Sequence, residues 1–181
     1  PNIHPFPLDV KNATQTKNIF KNIIEKLKTL DICVFCTGIH DPEAEKKLSS
    51  EKIREIMETN FFGTLNCVMA VNTYFREKKN GHISLVSSVA GYRGLPAASG
   101  YCASKAALIS LAESLYFDFK RKNVRVSLIS PGFIKTPLTD KNKFPMPFIK
   151  SPEYAAEKIF VGLTKKNSFE IHFPKSFTIL V

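Results

Sequence analysis

The stretch HISLVSSVAGYRGLPAASGYCASKAALISLAESL (residues 82–115) joins a short apolar run to a long helical pattern through a loop of small residues. The run HISLVSS (82–88) is continuous in the way expected of a strand buried on both faces. After the loop, Ala103, Ala107 and Leu111 recur at helical spacing. A buried strand followed by a helix predicts part of a βαβ unit.

The same alternation of strand and helix continues on both sides of this stretch. The chain, residues 1–181, is therefore predicted to form a single α/β domain: a Rossmann-like, doubly wound parallel sheet with helices on both faces. In such a sheet, ligands bind at the carboxyl ends of the strands. The predicted strands are 31–38, 82–88, 124–132 and 169–173, and the predicted helices are 19–30, about 42–78, 99–122 and one starting at Ser151.

The composition is that of a globular protein, with 44% hydrophobic residues and a formal net charge of +10. Such a charge favours binding to nucleic acid, an anionic membrane or an acidic carrier protein. The lysines, however, are scattered over polar helix faces, where they keep the surface hydrated. We therefore expect no nucleic-acid partner. No apolar run reaches the ~18 residues of a membrane span, and no signal segment opens the chain. With four cysteines besides, we expect a cytoplasmic protein without a transmembrane segment.

The segment CVFC (33–36) has the spacing of a metal or redox site. In a strand, however, residues three apart point to opposite faces, so the two thiols do not share an ion. No second CxxC follows, and we predict no metal site.

Four of the five tyrosines have a lysine four residues later, so this spacing alone identifies nothing. Only Tyr101, paired with Lys105, also has a hydroxyl residue 13 positions earlier, namely Ser88 at a predicted strand end. On a helix, residues four apart share one face, which brings the Lys105 ammonium near the phenol. A phenol has a pKa near 10, and a neighbouring positive charge stabilises its phenolate. Ser88 adds a hydrogen bond to a carbonyl oxygen, and a redox cofactor must supply the hydride that no side chain can deliver.

The segments 83–108 and 124–136 together strongly resemble the classical short-chain dehydrogenase/reductase family, which has a strand-end serine, a Tyr-x-x-x-Lys helix and a Pro-Gly-x-x-x-Thr turn. The resemblance runs from about Leu8 to the last strand. It implies an NAD(P)-dependent enzyme that interconverts a carbonyl and an alcohol by hydride transfer. The alternative is a noncatalytic dinucleotide-sensing or scaffolding protein with the same fold, and the presence of the family's complete catalytic tetrad weighs against it.

The resemblance implies a role for each matched residue. Ser88 orients the substrate carbonyl, Tyr101 is the general acid or base, and Lys105 lowers the tyrosine pKa and binds the nicotinamide ribose. Asn60 completes the tetrad by holding a water of the proton relay. The implied cofactor-binding residues are Asp9, Val10, Gly38, Tyr101, Lys105, Pro131, Gly132, Ile134 and Thr136.

Simpler interpretations remain open for several of these positions. Asn60 could be a surface helix residue, and Asp9 could cap the following helix. Ser87 could be the working serine if the strand register slips by one. Thr136 precedes a proline and could be only a turn residue. His40 follows a strand end and could act as a base, but exposed loop histidines are common and the tyrosine already fills that role.

The chain departs from the family pattern in two places. Phe35-Cys36-Thr37-Gly38 stands where the family has Asn-Asn-Ala-Gly, and the chain contains no Gly-x-Gly sequence, so the glycine-rich phosphate turn is absent. We expect the first βαβ unit to be missing on the N-terminal side, leaving the sheet incomplete there, and the end at 177–181 to be clipped. The residue that discriminates NAD from NADP belongs to that unit, so either cofactor fits.

The segment PLTDKNKFPMPFIK (137–150) lies where the family covers its substrate. It offers an apolar lid, which favours a nonpolar or medium-sized carbonyl or alcohol substrate. The lid residues are Phe144, Met146 and Phe148. The resemblance also implies a homodimer or homotetramer, in which the two longest helical stretches face a second copy. The apolar residues proposed for this contact are Phe61, Phe62 and Leu65.

Overall fold

The structure is a computed structural model that describes residues 3–166 and 168–175. The end at 177–181 lies outside the described residues. Turns of 3-10 helix lie at Val89–Gly91 and Thr139–Lys141, and π-helical turns lie at Glu58–Phe62 and Gly162–Lys166. The helices are α1 (Ala13–Leu27), α2 (Pro42–Lys46), α3 (Ser50–Met57), α4 (Gly63–Lys78), α5 (Ser99–Lys120) and α6 (Pro152–Val161), and the strands are β1 (Ile32–Phe35), β2 (His82–Val86), β3 (Arg125–Pro131) and β4 (Glu170–Phe173).

The four strands form one parallel sheet in the order β1-β2-β3-β4. Leu85 of β2 pairs with Leu128 of β3, which pairs in turn with Glu170 of β4. All four predicted strands are present. Because the strands are parallel, their carboxyl ends lie along the same edge of the sheet, where a ligand site is expected.

The sheet carries helices on both faces. Ile83 and Leu85 of β2 are fully buried and belong to the core that α4 and α5 cover. Val86, which points to the opposite face, belongs to the core beneath α6, together with Ile129. A side chain of this size that becomes fully buried contributes about 1.5–3 kcal/mol through the hydrophobic effect. The predicted Rossmann-like sheet with two covered faces is therefore confirmed.

The helix starts have the capping residues that the sequence supplies. The last helix starts at Ser151, as predicted: its side chain accepts a hydrogen bond from the Tyr154 amide, and Pro152 takes the first helical position. The N-cap of α1 is Asn12, whose side chain accepts from the Gln15 amide. Asp9, considered above as a cap for this helix, instead accepts from the Lys11 amide within its own turn.

The predicted helical stretch at about 42–78 is divided in the structure. Leu48 has a φ of 53°, which ends α2, and Ser49 then caps α3. The helix changes to a π-helical turn between α3 and α4. At Gly100 on α5, a Cβ would lie 3.2 Å from Ile53 Cα of α3. A side chain here would force the two helices apart by a few tenths of an ångström, so glycine favours their close crossing.

The two thiols of the CVFC segment lie in different surroundings, because Cys33 is buried and Cys36 is exposed. Burial beside Cys67 raises the pKa of the Cys33 thiol to about 12, which disfavours the thiolate form that binds metals. No group of three metal-ligating side chains is found among the described residues. In the same part of the chain, no helix is long and apolar enough to span a membrane.

Candidate active site

The side chains predicted to form the catalytic tetrad lie near the carboxyl ends of β1 and β2. Ser88 is the second residue after β2, and Tyr101 and Lys105 occupy the first two turns of α5. Asn60 lies in the π-helical turn between α3 and α4. Helical irregularities of this kind often occur at functional sites.

Lys105 is buried, and its position is fixed from two sides. Its ammonium donates a 2.9 Å hydrogen bond to the Val86 carbonyl at the end of β2. Its own backbone carbonyl accepts a 2.7 Å hydrogen bond from Ser87 Oγ. Burial lowers the pKa of Lys105 to about 8, because the charged form loses its hydration. A Cβ at Gly38 would lie 3.4 Å from Lys105 Nζ, so glycine keeps the strand end close to the ammonium.

The Tyr101 ring centroid lies 5.7 Å from Lys105 Nζ. Burial raises the pKa of Tyr101 to about 12, and a hydrogen bond with the Ser88 side chain partly offsets this rise. The net direction is opposite to the one expected from the family resemblance. The reason is that loss of hydration outweighs the stabilisation of the phenolate. The phenol is therefore protonated at neutral pH in this structure, as a general acid requires.

The structure distinguishes between the two candidate serines. Ser87 is buried, and its hydroxyl is used in the bond to the Lys105 carbonyl. Ser88 is partly exposed and lines a cavity together with Tyr101. Its Oγ accepts a hydrogen bond from the Ala90 amide, and its only carbonyl contact found in the described residues is a long 3.5 Å approach to Pro131. The hydroxyl of Ser88 is the one available to a ligand.

Asn60 is completely buried, so the interpretation of this residue as a surface position is wrong. Its side chain accepts a 2.7 Å hydrogen bond from the Ile39 amide and donates to the Ile39 carbonyl at 3.0 Å. It also donates to Ser104 Oγ on α5 at 3.0 Å. Asn60 therefore ties the loop after β1 to the helix that carries Tyr101 and Lys105.

The residues that the resemblance assigns to the cofactor lie around this group. Val10 packs against Gly63 at the start of α4, where a Cβ would lie 2.5 Å from it, and the neighbouring Asp9 is exposed. Gly132 donates its amide to the Phe173 carbonyl directly after β3. The Thr136 amide donates a hydrogen bond to Thr139 Oγ1 within a turn, which fits the interpretation of Thr136 as a turn residue. The remaining two, Pro131 and Ile134, lie at the end of β3 and in the segment just after it.

A cavity of about 60 Å³ lies beside Ser88 and Tyr101, and a groove of about 490 Å³ adjoins it, with Leu95, Phe133 and Phe144 lining both. Of the predicted lid residues, Phe144 lines both, and its ring packs against that of Phe133. His40 also lines the cavity and is only 7% exposed, so it is not the exposed loop histidine considered above. Leu138, Thr139 and Asn142 also line the cavity and belong to the predicted covering segment 137–150. The cavity residues that the sequence analysis did not single out are Val89, Ala90, Leu95, Ala98 and Phe133.

Comparison with known proteins agrees with the fold. The family described as short chain dehydrogenase matches residues 1–147. An uncharacterized oxidoreductase of Myxococcus xanthus is 37% identical over 95% of this chain and 68% of its own length. The 3-oxoacyl-[acyl-carrier-protein] reductase FabG of Thermotoga maritima is 28% identical over 92% of this chain and 72% of its own.

Among solved structures, ElxO with NADP bound superposes with a TM-score of 0.80 at 24% sequence identity. The match covers 92% of this chain and 73% of ElxO. At this identity the superposition shows a common fold. Together with the match over residues 1–147, these comparisons establish that the chain belongs to the short chain dehydrogenase family.

Proposed function

We propose that this protein is a nicotinamide-dependent oxidoreductase that interconverts a carbonyl and an alcohol, with Tyr101 as its general acid or base. One observation carries the proposal. The phenol of Tyr101 and the hydroxyl of Ser88 line the same cavity, while the buried ammonium of Lys105 lies 5.7 Å from the centroid of the phenol ring. An acid, a carbonyl-binding donor and a fixed positive charge are the groups that carbonyl reduction needs.

The residues present fit a nicotinamide cofactor, which would supply the hydride. Lys105 has three N–H donors, and one of them bonds to the Val86 carbonyl, so the others can hold ribose hydroxyls. Gly38 leaves space beside this ammonium. The other proposed contacts are Asp9, Val10, Tyr101, Pro131, Gly132, Ile134 and Thr136. The name of the ElxO structure favours NADP, although NAD fits the same residues.

The side chains account for the movement of the proton. In reduction, Ser88 donates a hydrogen bond to the carbonyl oxygen, and Tyr101 transfers its phenolic proton to that oxygen as negative charge develops there. The Lys105 ammonium stabilises the phenolate that results. In oxidation the phenolate takes the proton back. The role of Asn60 in holding a water of the relay stays a prediction, since its side chain already bonds to Ile39 and Ser104.

The groove beside the cavity indicates the substrate class. Its walls include Leu95, Pro96, Phe133 and Phe144, which favour an apolar substrate of medium size. Lys46, Lys141 and Lys143 also line it, and Lys143 forms an ion pair with Glu43. The name of the FabG relative gives a 3-oxoacyl group on an acyl carrier protein as the substrate of that enzyme, and an acyl chain fits these apolar walls.

The test is to mix the complete gene product with NADPH or NADH and a panel of ketones, and to follow the loss of reduced cofactor by absorbance. We expect turnover with at least one apolar ketone. A protein that binds cofactor with high affinity but turns over no ketone or secondary alcohol would instead be the noncatalytic sensor or scaffold.

Self-association and location remain predictions. Phe62 on the π-helical turn is 43% exposed and Met69 on α4 is 62% exposed, which suits a helix face that pairs with a second copy. Phe61 is instead partly buried against the core of the sheet. We propose a homodimer or homotetramer in the cytoplasm, as the four free cysteines favour a reducing compartment.

A further inference from the structure

We propose that His40, held in place by Glu45, determines substrate specificity by binding a hydroxyl group close to the reacting carbonyl. The inference rests on the proposed function and adds a second polar contact to the substrate. Neither residue belongs to the catalytic tetrad, and nothing in the spacing of the sequence connects them to Tyr101.

The His40 ring lies at the edge of the candidate active site. Its centroid is 4.8 Å from that of the Tyr101 ring, and both residues line the cavity that contains Ser88. A substrate whose carbonyl meets Ser88 and Tyr101 therefore places its neighbouring atoms near the imidazole. With 7% of its surface exposed, the imidazole is not a freely solvated group.

Glu45 fixes both the orientation and the tautomer of this ring. Glu45 is 1% exposed, and its Oε1 lies 2.7 Å from His40 Nδ1. A carboxylate oxygen accepts, so Nδ1 carries the proton. The other oxygen accepts from the Tyr101 amide at 3.0 Å. The N-cap residue of α5, Ala98, has no side chain that could accept a hydrogen bond from a backbone amide of the first turn. One buried carboxylate therefore holds the imidazole and the helical turn of Tyr101 in a fixed relation.

The remaining ring nitrogen, Nε2, has no hydrogen-bond partner among residues 3–166 and 168–175. In a neutral imidazole it accepts, and in an imidazolium it donates. A hydroxyl group both donates and accepts, so it satisfies Nε2 in either state. Asn142 lines the same cavity, and its buried Oδ1 lacks a partner in the described part of the chain. A ring nitrogen without a protein partner and a buried amide oxygen without one, both on residues that line this cavity, favour a substrate with a hydroxyl over a pure hydrocarbon ketone.

The experiment compares two pairs of ketones that differ by one hydroxyl in place of one methyl group. The pairs are acetoin with methyl isopropyl ketone, and hydroxyethyl methyl ketone with methyl propyl ketone. For the wild-type complete gene product we expect kcat/KM to favour the hydroxy ketone of at least one pair by about tenfold, the usual effect of one buried hydrogen bond. His40→Phe should abolish this preference, because it should lower kcat/KM for the hydroxy ketone about tenfold more than for its methyl isostere. His40→Gln should retain part of the preference.

His172→Phe is the matched control, because this exposed histidine lies on β4 and lines a different pocket. It should retain the full preference. A second measurement does not depend on any variant. In wild-type protein with ¹⁵N-labelled histidine, the hydroxy ketone should shift the Nε2 resonance of His40, and its isostere should not.

The outcomes separate the two proposals. If the wild type turns over no ketone at all, the proposed oxidoreductase function is wrong. If it turns over both members of each pair equally well, or if the Nε2 resonance does not move, the role of His40 is wrong and the oxidoreductase function stands. Equal loss of both ketones in His40→Phe would make His40 structural only, which also contradicts the inference.

Discussion

Helix α5 carries the same tyrosine-lysine spacing twice, in two different surroundings. Lys105 Nζ lies 5.7 Å from the Tyr101 ring centroid, and Lys120 Nζ lies 5.4 Å from that of Tyr116. The first lysine is buried and bonds to the Val86 carbonyl. The second is exposed and approaches its own tyrosine hydroxyl at 3.5 Å. The geometry within each pair is nearly the same, so the difference between them comes from their neighbours.

The two pairs lie at opposite ends of the strands. Tyr101 and Lys105 lie at the carboxyl ends, beside Ser88. Tyr116 and Lys120 line a cavity of about 240 Å³ with His82 and Arg125, the first residues of β2 and β3. No serine hydroxyl lies 13 residues before Tyr116, and the Tyr116 ring packs on Phe169. A helix can therefore repeat a spacing for packing at one end and for proposed chemistry at the other.

The largest expected difference between the two tyrosine-lysine pairs is in their effect on turnover. Tyr101→Phe removes the proposed general acid and should lower kcat by about 10²–10⁴-fold. Tyr116→Phe removes a hydroxyl at the other end of α5 and should change kcat by less than about twofold. Steady-state kinetics on both variants, with circular dichroism to verify folding, measures the contrast. If folded Tyr116→Phe lost as much activity as Tyr101→Phe, the wrong pair would have been chosen.

The second difference concerns the dependence of stability on pH. The pKa of Lys105 is lowered to about 8 in the folded protein, below its ordinary value of 10.5. Between these pH values the unfolded chain binds more protons, so the free energy of unfolding of the cofactor-free protein should rise with pH. The contribution of Lys105 is about 3 kcal/mol at most. Above pH 10, Tyr101 has the opposite effect on the free energy of unfolding. The unfolded phenol loses its proton there while the folded phenol, with its raised pKa, keeps it, so this contribution to stability is lost as the pH rises.

Denaturant unfolding at several pH values between 7.5 and 10 measures this rise in the free energy of unfolding. Lys105→Met should remove it, and Lys120→Met on the same helix should retain it. A rise of equal size in Lys105→Met would mean that another group is responsible and that the Lys105 ammonium is better hydrated than its burial indicates.

The smallest expected difference is in the serines that support each end of α5. Ser87 donates to the Lys105 carbonyl at 2.7 Å inside the protein, whereas Ser114 donates to the Ser110 carbonyl at 3.0 Å on an exposed face. Ser87→Ala should lower the free energy of unfolding by about 1 kcal/mol, because it removes a buried hydrogen bond. Ser114→Ala should be nearly neutral. Equal effects, measured by urea unfolding, would show that the buried bond does not hold α5 in place.

The strands and main helices could be predicted because their signals are local. The continuous apolar run in β2 and the helical spacing in α5 each lie within one element, and the combination of Ser88, Tyr101 and Lys105 lies within 18 residues of sequence. Patterns of this kind depend on the period of the secondary structure alone. The division of 42–78 was missed because a single residue, Leu48 at positive φ, ends α2 without glycine or proline.

The pair formed by His40 and Glu45 could not be predicted, because it depends on tertiary contacts. Glu45 lies in a five-residue helix, and its bond to the Tyr101 amide joins positions 56 residues apart. Nothing local distinguishes this acid from exposed neighbours such as Glu43. The burial of Asn60 likewise depends on partners at Ile39 and Ser104, far from it in sequence.

The π-helical turn at Glu58–Phe62 also sets the rotational phase between α3 and α4. An α-helix turns by about 100° per residue, and a π turn accommodates one extra residue without adding a turn. The face of α3 that carries Ile53 toward Gly100 and the face of α4 that carries Cys67 into the sheet core are therefore offset by one position in the sequence. A single-residue deletion in this turn would remove that extra residue and join α3 and α4 as one regular α-helix, so the two faces would keep their directions and the expected damage falls on the position of Asn60 between Ile39 and Ser104.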